Sequence, residues 1–210
     1  MSWDKLNLEK KKLNSNSKNI AVLISGGGTN LQALIDNEKD INGKIKIVIS
    51  NRENAFGLVR ARRASIEGIV IRDDDILLDT LKDNNIDLIV LAGYLKILPK
   101  SIIREYENRI INIHPSLIPA FCGSGYYGMK VHFSVIDKGV KYSGATTHFV
   151  NEYADEGPII MQESLEVLDS TAEELQKRVL EIEHKILVKT VKYFCDDKLK
   201  IINNKVVIGE

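Results

Sequence analysis

The sequence predicts an α/β protein built on a doubly wound, mostly parallel sheet with an antiparallel C-terminal hairpin extension. Three observations carry this reading. Continuously apolar runs rich in Ile and Val recur along the first half, NIAVLI (19–24), KIKIVIS (44–50), GIVI (68–71), IDLIVLAG (86–93) and RIINI (109–113), and such runs mark strands covered on both faces, as in parallel sheets. Helix-length segments with turn signals separate them, the spacing of strand–helix–strand units. After His114 the rhythm changes to two extended segments around a polar turn, which is the pattern of an antiparallel pair.

The elements follow in order. Helices are predicted over about 29–37, 56–66 and 75–84, each one turn signal beyond a strand. A helix near 127–138 leads into YSGATTHFV and GPIIMQESLEV, joined by NEYADEG, which sets Asp155 at a strand mouth. Ser170, Thr171, Ala172 and Glu173 read as a capping box, and apolar residues at 175, 179, 182, 186 and 191 line one face of a long helix ending near Phe194. LKIINNKVVIG, with Asn203 and Asn204 between apolar pairs, reads as a terminal hairpin. No internal repeat or low-complexity block interrupts this order.

Composition narrows the function. A chain of 210 residues suits one domain, which at this size buries roughly 70% of its unfolded surface. Lys plus Arg and Asp plus Glu both count 29, giving zero formal net charge, so bulk electrostatics point neither to nucleic acid nor to an anionic membrane. Two cysteines, no membrane-length apolar run and no signal-peptide core predict a soluble, reduced, cytoplasmic protein acting on small molecules. Met1 to Ser17 is polar, with Lys10, Lys11 and Lys12 in a row. Residues 1–18 therefore read as a mobile extension and 19–210 as a single domain.

The first strand runs into SGGGTNLQ, Ser25 to Gln32, and opens a helix. Glycines at such a place admit a ligand close to the backbone, and the free amides and dipole of the helix start favour an anion such as phosphate. Gly26, Gly27 and Gly28 fit that role with Thr29 and Asn30 as supporting donors, although a tight turn that binds nothing has the same composition. No Gly-Lys-Ser/Thr follows, and the third position of GxGxxG falls on Leu31, so neither a P-loop nor a full dinucleotide fingerprint is present. Ligands of doubly wound sheets collect outside the carboxyl ends of strands. The SGGGTN loop, the end of IDLIVLAGYLKIL and the end of RIINIHP are three such ends.

Within INIHP side chains alternate, so Asn112 and His114 share one face while Ile111 and Ile113 take the other. An amide donor and an imidazole at one strand mouth suit acyl transfer, where charge develops on a carbonyl oxygen and an amine proton must leave. A structural histidine and a turn-forming asparagine are the bland alternatives. Asp155 strengthens the chemical reading if it folds back onto His114, because a carboxylate orients an imidazole and favours its charged form. His132 is expected on a surface helix and His148 within a strand, both in structural roles, and Cys122 is expected to be a small packing residue.

Taken together, SGGGTNLQALID, SNRENAFGLVRAR, VLAGYLKIL, INIHPSLIP, SGATTHFVNEYADEGPIIMQ and EIEHKI resemble, in order and spacing, the phosphoribosylglycinamide formyltransferases, folate-dependent enzymes of purine synthesis. The resemblance covers about residues 19–197. It implies the Rossmann-like formyltransferase fold over 19–210 and transfer of formyl from 10-formyltetrahydrofolate to the glycine amine of glycinamide ribonucleotide, without metal. It also implies that Asn112, His114 and Asp155 are catalytic, with Asp155 keeping His114 protonated. Gly28, Thr29, Asn30 and Glu183 resemble the ribonucleotide site. Leu95, Lys96, Ile97 and Leu98 resemble the strip that binds the pteridine, with Asn112 and the turn Asn151, Glu152, Tyr153, Ala154 and Asp155 closing over it. Between Ile71 and Ile86 the chain is shorter than the family pattern and no residue carries over. The AFCGSGYYGMKVH loop is a variant expected to reshape one wall of the site and leave the chemistry alone.

Methionyl-tRNA formyltransferases resemble a longer chain with a basic domain, and formyltetrahydrofolate hydrolases one with a preceding regulatory segment; neither is expected from this length and charge. A sugar-nucleotide formyltransferase and a non-catalytic nucleotide-binding module remain as rivals. Homodimerisation is left open.

Overall fold

β1 (Lys18–Ile24) lies between two parallel neighbours because its residues are apolar toward both faces. In the computed structural model, which describes residues 17–168 and 171–209, it pairs with β2 (Gly43–Ser50) on one side and β4 (Leu88–Leu91) on the other. β3 (Glu67–Val70) extends the sheet beyond β2, and β5 (Ile110–His114) extends it beyond β4, all in parallel. β6 (Tyr142–Phe149) then pairs antiparallel with β5, and β7 (Ile159–Glu166) antiparallel with β6. The order is β3-β2-β1-β4-β5-β6-β7. A separate hairpin, β8 (Leu199–Ile202) and β9 (Lys205–Ile208), turns at Asn203 and Asn204, whose φ angles of 49° and 59° suit a two-residue hairpin turn.

Six α-helices cover the sheet among the described residues: α1 (Thr29–Asp36), α2 (Phe56–Arg63), α3 (Asp74–Asp83), α4 (Lys100–Glu105), α5 (Met129–Lys138) and α6 (Ala172–Cys195). The pleat sorts β1 between two cores. Ile20, Val22 and Ile24 pack with Leu31 and Leu34 of α1 and with Leu175, Val179 and Ile186 of α6. Ala21 and Leu23 face the other way, toward Leu77 and Leu81 of α3 and Ile102 of α4. No helix among the described residues is long and apolar enough to cross a membrane.

Most of the expected order is present, with four differences. α4 was not anticipated: six residues after Pro99 carry too few apolar positions to show a helical period. α2 ends at Arg63, because Ser65 turns the chain at φ 58° and the Ile66 amide closes back onto the Ala61 carbonyl at 2.9 Å. His132 is not on a surface. α5 buries it to 1% exposure beside Val131 and Val135, and burial, reinforced by the charge of His114, pushes its pKa down to about 4. The capping box lies one residue later than the sequence suggests. Thr171 Oγ1 accepts the Glu174 amide at 3.2 Å while Glu174 Oε2 accepts the Thr171 amide at 2.8 Å. Ser170, like the extension before residue 17, lies outside the described residues. Cys122 is a half-buried residue whose thiol donates to the Pro119 carbonyl, and burial raises its pKa, as an unreactive packing role requires.

Thr171→Ala removes the oxygen that caps α6 and leaves the Glu174 amide without its acceptor, while the Glu174 carboxylate keeps the residue-171 amide. Urea denaturation should show a loss of about 1 kcal/mol with an unchanged m-value. A loss below a few tenths would show that the helix start is held by packing alone.

Candidate active site

The strand order reverses between β1 and β4, so their carboxyl ends and that of β5 open on one crevice. Ser25 ties the edges of this opening together. Its amide donates to the Gly93 carbonyl at 3.1 Å, its hydroxyl donates to Asn51 Oδ1 at 2.7 Å, and the same oxygen accepts the Leu95 amide at 2.8 Å. Gly28 then precedes α1 at φ 70°, and a Cβ there would sit 2.7 Å from Gly57 Cα. Glycine is therefore required on both grounds, conformation and space. No side chain caps α1, and the Cβ positions of Gly26 and Gly27 face open space. The first-turn amides are thus presented to whatever enters the crevice.

Two polar side chains are buried just behind this loop. Asn30, 7% exposed, donates from Nδ2 to Glu183 Oε2 at 2.7 Å, and its Oδ1 has no partner among the described residues. Glu183 projects from the middle of α6 and is 7% exposed. Burial pushes its carboxyl up to about 7, against the pull of the Asn30 amide. A buried acceptor without a donor, Asn30 Oδ1, beside the Glu183 carboxyl fits a ligand that brings hydroxyl groups.

At the mouth of β5, Asn112 and His114 do share a face. Asn112 Nδ2 lies 3.1 Å from His148 Nε2 and 3.4 Å from Asp155 Oδ1. His148 Nδ1 donates to the Phe149 carbonyl at 2.8 Å, which orients the ring so that Nε2 faces Asn112 and Asp155. His114, 5% exposed, donates from Nε2 to the Phe121 carbonyl at 2.9 Å. Its Nδ1 therefore faces Asp155 Oδ2, 3.6 Å away. Asp155 adopts φ 59°, and its Oδ2 accepts the Gly123 amide at 2.8 Å while Oδ1 stands 3.6 Å from His148 Nε2.

Burial works against the charge of Asp155, yet His148, His114 and the Gly123 amide together hold its carboxyl below the usual range. For His114 the balance runs the other way. Burial lowers its pKa, and although Asp155 and the Phe121 carbonyl pull upward they do not offset it. In the ligand-free protein burial therefore opposes the expected charging of His114 by Asp155, and the carboxylate offsets only part of it. The AFCGSGYYGMKVH loop does more than form a wall, since Phe121 and Gly123 supply backbone partners that position His114 and Asp155.

The strip after β4 leaves the sheet with its backbone open. The amides of Lys96, Ile97 and Leu98 have no backbone partner among the described residues. Leu95 is 47% exposed and Ile97 84%, while Leu98 is buried. The Lys96 ammonium is held by Asp74 at 2.6 Å and by the Arg72 carbonyl at 2.7 Å. In the 151–155 turn, Asn151 Oδ1 accepts the Tyr153 amide at 3.0 Å, and Tyr153 and Ala154 are exposed. Glu152 pairs with Lys100 at 2.8 Å and Arg104 at 2.9 Å, so α4 is the element that anchors this turn.

His148 was missed as part of the site because its place depends on register: β6 runs antiparallel to β5 with His148 opposite Asn112, and a register is not written in a single strand. Two cavities, about 470 Å³ beside β3 and about 300 Å³ beneath β8, contain none of these groups. Among the described residues no three His, Cys, Asp or Glu side chains are grouped to hold a metal ion.

Residues 18–191 match the formyl transferase family model, and the chain belongs to that family. Within it, the chain is 41% identical over 194 residues to the chloroplastic phosphoribosylglycinamide formyltransferase of Vigna unguiculata, covering 87% of this chain and 62% of that one. It thus spans about three-fifths of that relative's length. With the phosphoribosylglycinamide formyltransferase of Haemophilus influenzae it shares 40% identity over 199 residues, 89% of this chain and 92% of the other. The crystal structure of glycinamide ribonucleotide transformylase 1 from Symbiobacterium toebii superposes with a TM-score of 0.87 at 39% identity, over 93% of this chain and 95% of that one. A formyltetrahydrofolate deformylase from Pseudomonas syringae superposes with a TM-score of 0.86 at 26% identity, over 94% and 67%.

Glu183 carries a measurable consequence. Its folded pKa is raised, so its ionisation costs stability that is absent below about pH 4.5, grows through about 7 and is constant above. Glu183→Gln should stabilise the ligand-free protein by about 2–3 kcal/mol at pH 8 and hardly at pH 4.5. Equal effects at both pH values in denaturant titrations would show that the carboxylate is not strained.

Proposed function

We propose that this chain transfers a formyl group from 10-formyltetrahydrofolate to the amine of N1-(5-phospho-D-ribosyl)glycinamide. The products are formylglycinamide ribonucleotide and tetrahydrofolate, and the step belongs to de novo purine biosynthesis. Residues 19–210 are proposed to act as one catalytic domain. The observation that carries the reading is the convergence of Asn112, His114 and Asp155 at the mouth of β5, with Asp155 3.4 Å from Asn112 and 3.6 Å from His114.

The reduced folate supplies the formyl carbon as an acyl group on nitrogen. The strip Leu95–Leu98, with Leu95 and Ile97 exposed and the amides of Lys96 to Leu98 open, and the turn 151–155 are suited to hold its flat ring system against the crevice. Gly28, Thr29, Asn30 and Glu183 would hold the ribonucleotide, the loop amides taking the phosphate and the buried acceptors taking ribose hydroxyls. As the amine adds to the formyl carbon, the Asn112 amide stabilises the negative charge that develops on oxygen. A new carbon–nitrogen bond forms, the bond to the folate nitrogen breaks, and the proton lost by the amine is matched by one gained at that nitrogen. His114 is the group that holds the proton in between. Its Nε2 hydrogen is committed to Phe121, so the proton enters at Nδ1, beside Asp155, whose charge steadies the imidazolium.

The likeness to a deformylase favours one rival, release of formate to water. Following the absorbance of the folate product with and without the ribonucleotide separates them. Turnover is expected only with the ribonucleotide. His114→Ala should lower kcat by roughly 10²–10⁴ with the fold intact. Equal turnover without the amine would make the chain a hydrolase, and no turnover with either would leave a binding module.

A further inference from the structure

Arg60 is the cation of the site that neither the motifs nor the chemistry above has used. It projects from α2 over the glycine loop, donating from Nε to the Gly27 carbonyl at 2.8 Å and from Nη1 to Gln32 Oε1 at 3.1 Å. Its guanidinium carbon sits 5.2 Å from the centre of the Phe56 ring. A Cβ on Gly28 would meet Arg60 Cδ at 3.5 Å, and the close passage of Gly28 against Gly57 is what brings α2 this near. The Gly57 amide adds a hydrogen bond to the Gly26 carbonyl at 3.0 Å.

Both anchors are neutral oxygens, and among the described residues no carboxylate lies within ion-pair distance of Arg60. A half-buried guanidinium with two of its five N–H groups engaged keeps three donors and a whole charge unspent. Beside it are the uncapped first turn of α1, open space above Gly26 and Gly27, and the unpartnered, buried Oδ1 of Asn30. His184, whose Nε2 is buried without a partner among the described residues, lies near enough to feel the charge of Arg60. The Asp36 carboxylate is held by the far end of Gln32 at 2.8 Å and felt, with Glu181, by His184, but it makes no ion pair with Arg60.

Resting on the functional reading above, we infer that Arg60 is a specificity-determining residue of the amine substrate's site: its guanidinium is the counter-charge that distinguishes a phosphorylated ribosyl substrate from its dephosphorylated form. Gly27 and Gln32 hold the fork in place so that its free edge meets phosphate oxygens while the loop amides meet the others. The arrangement divides the work by sign. Arg60 and the α1 amides take the dianion, and Glu183 with Asn30 takes neutral hydroxyls.

The test is a cycle between residue and phosphate. Arg60→Met should raise KM for the ribonucleotide roughly ten- to a hundredfold with kcat changed less than about threefold. The preference in kcat/KM for the ribonucleotide over the ribonucleoside should shrink by the same factor, and Arg60→Lys should restore part of it. If Arg60 only braces the loop, both substrates suffer alike and the preference is unchanged, which overturns the inference. Calorimetry with ribose 5-phosphate decides independently of turnover. Binding by the unaltered protein that weakens at least about tenfold in Arg60→Met supports the role, whereas equal binding, or none by either protein, overturns it. Phosphate binding without formyl transfer would instead count against the functional reading alone.

Discussion

One carboxylate organises the chemistry of this fold. Asp155 stands at the end of the turn between β6 and β7, in a left-handed conformation that non-glycine residues adopt at a cost. Within about one side-chain length it meets the Nδ1 of His114, the Nε2 of His148, the amide of Asn112 and the backbone amide of Gly123. Those partners keep it ionised despite burial. Its charge in turn is what lets a buried imidazole accept a proton. His114 alone would be driven toward permanent neutrality by its surroundings, and Asp155 brings it part of the way back. The left-handed backbone at Asp155 is therefore tied to the placement of a proton.

The rest of the structure serves to bring that carboxylate to the right strand end. The parallel half of the sheet supplies the crevice by reversing its order at β1 and β4. The antiparallel half, β6 and β7, carries His148 to a position opposite Asn112 and returns Asp155 over the mouth of β5. α4 holds the turn through Glu152, and the 121–128 loop closes the far side through Phe121 and Gly123. The exposed ion pairs of Glu152 contribute little stability individually. Their effect is positional, because they limit where residues 151–155 can lie.

Much of this was legible in the sequence. Apolar runs with no alternation fixed β1, β4 and β5, since only a sheet covered on both faces tolerates them, whereas β2 alternates at Lys44 and Lys46 and β3 is an exposed edge. The period of two along INIHP put Asn112 and His114 on one side, and the glycines after β1 marked a helix start open to an anion. What was not legible depends on pairing and on backbone. His148 needed the β5–β6 register, Phe121 and Gly123 act through carbonyl and amide rather than side chain, and α4 is too short to show a period. His132 was misplaced because a helix bordered by polar residues reads as a surface element, whereas here its first turn packs inward beside His114. Arg60 stands on a helix that also carries Arg62 and Arg63, and only the Gly28–Gly57 contact, which no sequence pattern announces, sets it over the loop.

The central claim is that burial and Asp155 act in opposite directions on His114, so that its Nδ1 gains and loses a proton under the influence of that carboxylate. Nitrogen-15 NMR of the histidine side chains across pH tests it most directly. The ligand-free protein should show the Nε2–H tautomer of His114 titrating below 6.5, and Asp155→Asn should lower that pKa further, because the one charge that raises it has been removed. A His114 titrating above 6.5, or one indifferent to the loss of Asp155, would contradict the claim and place control of the proton elsewhere.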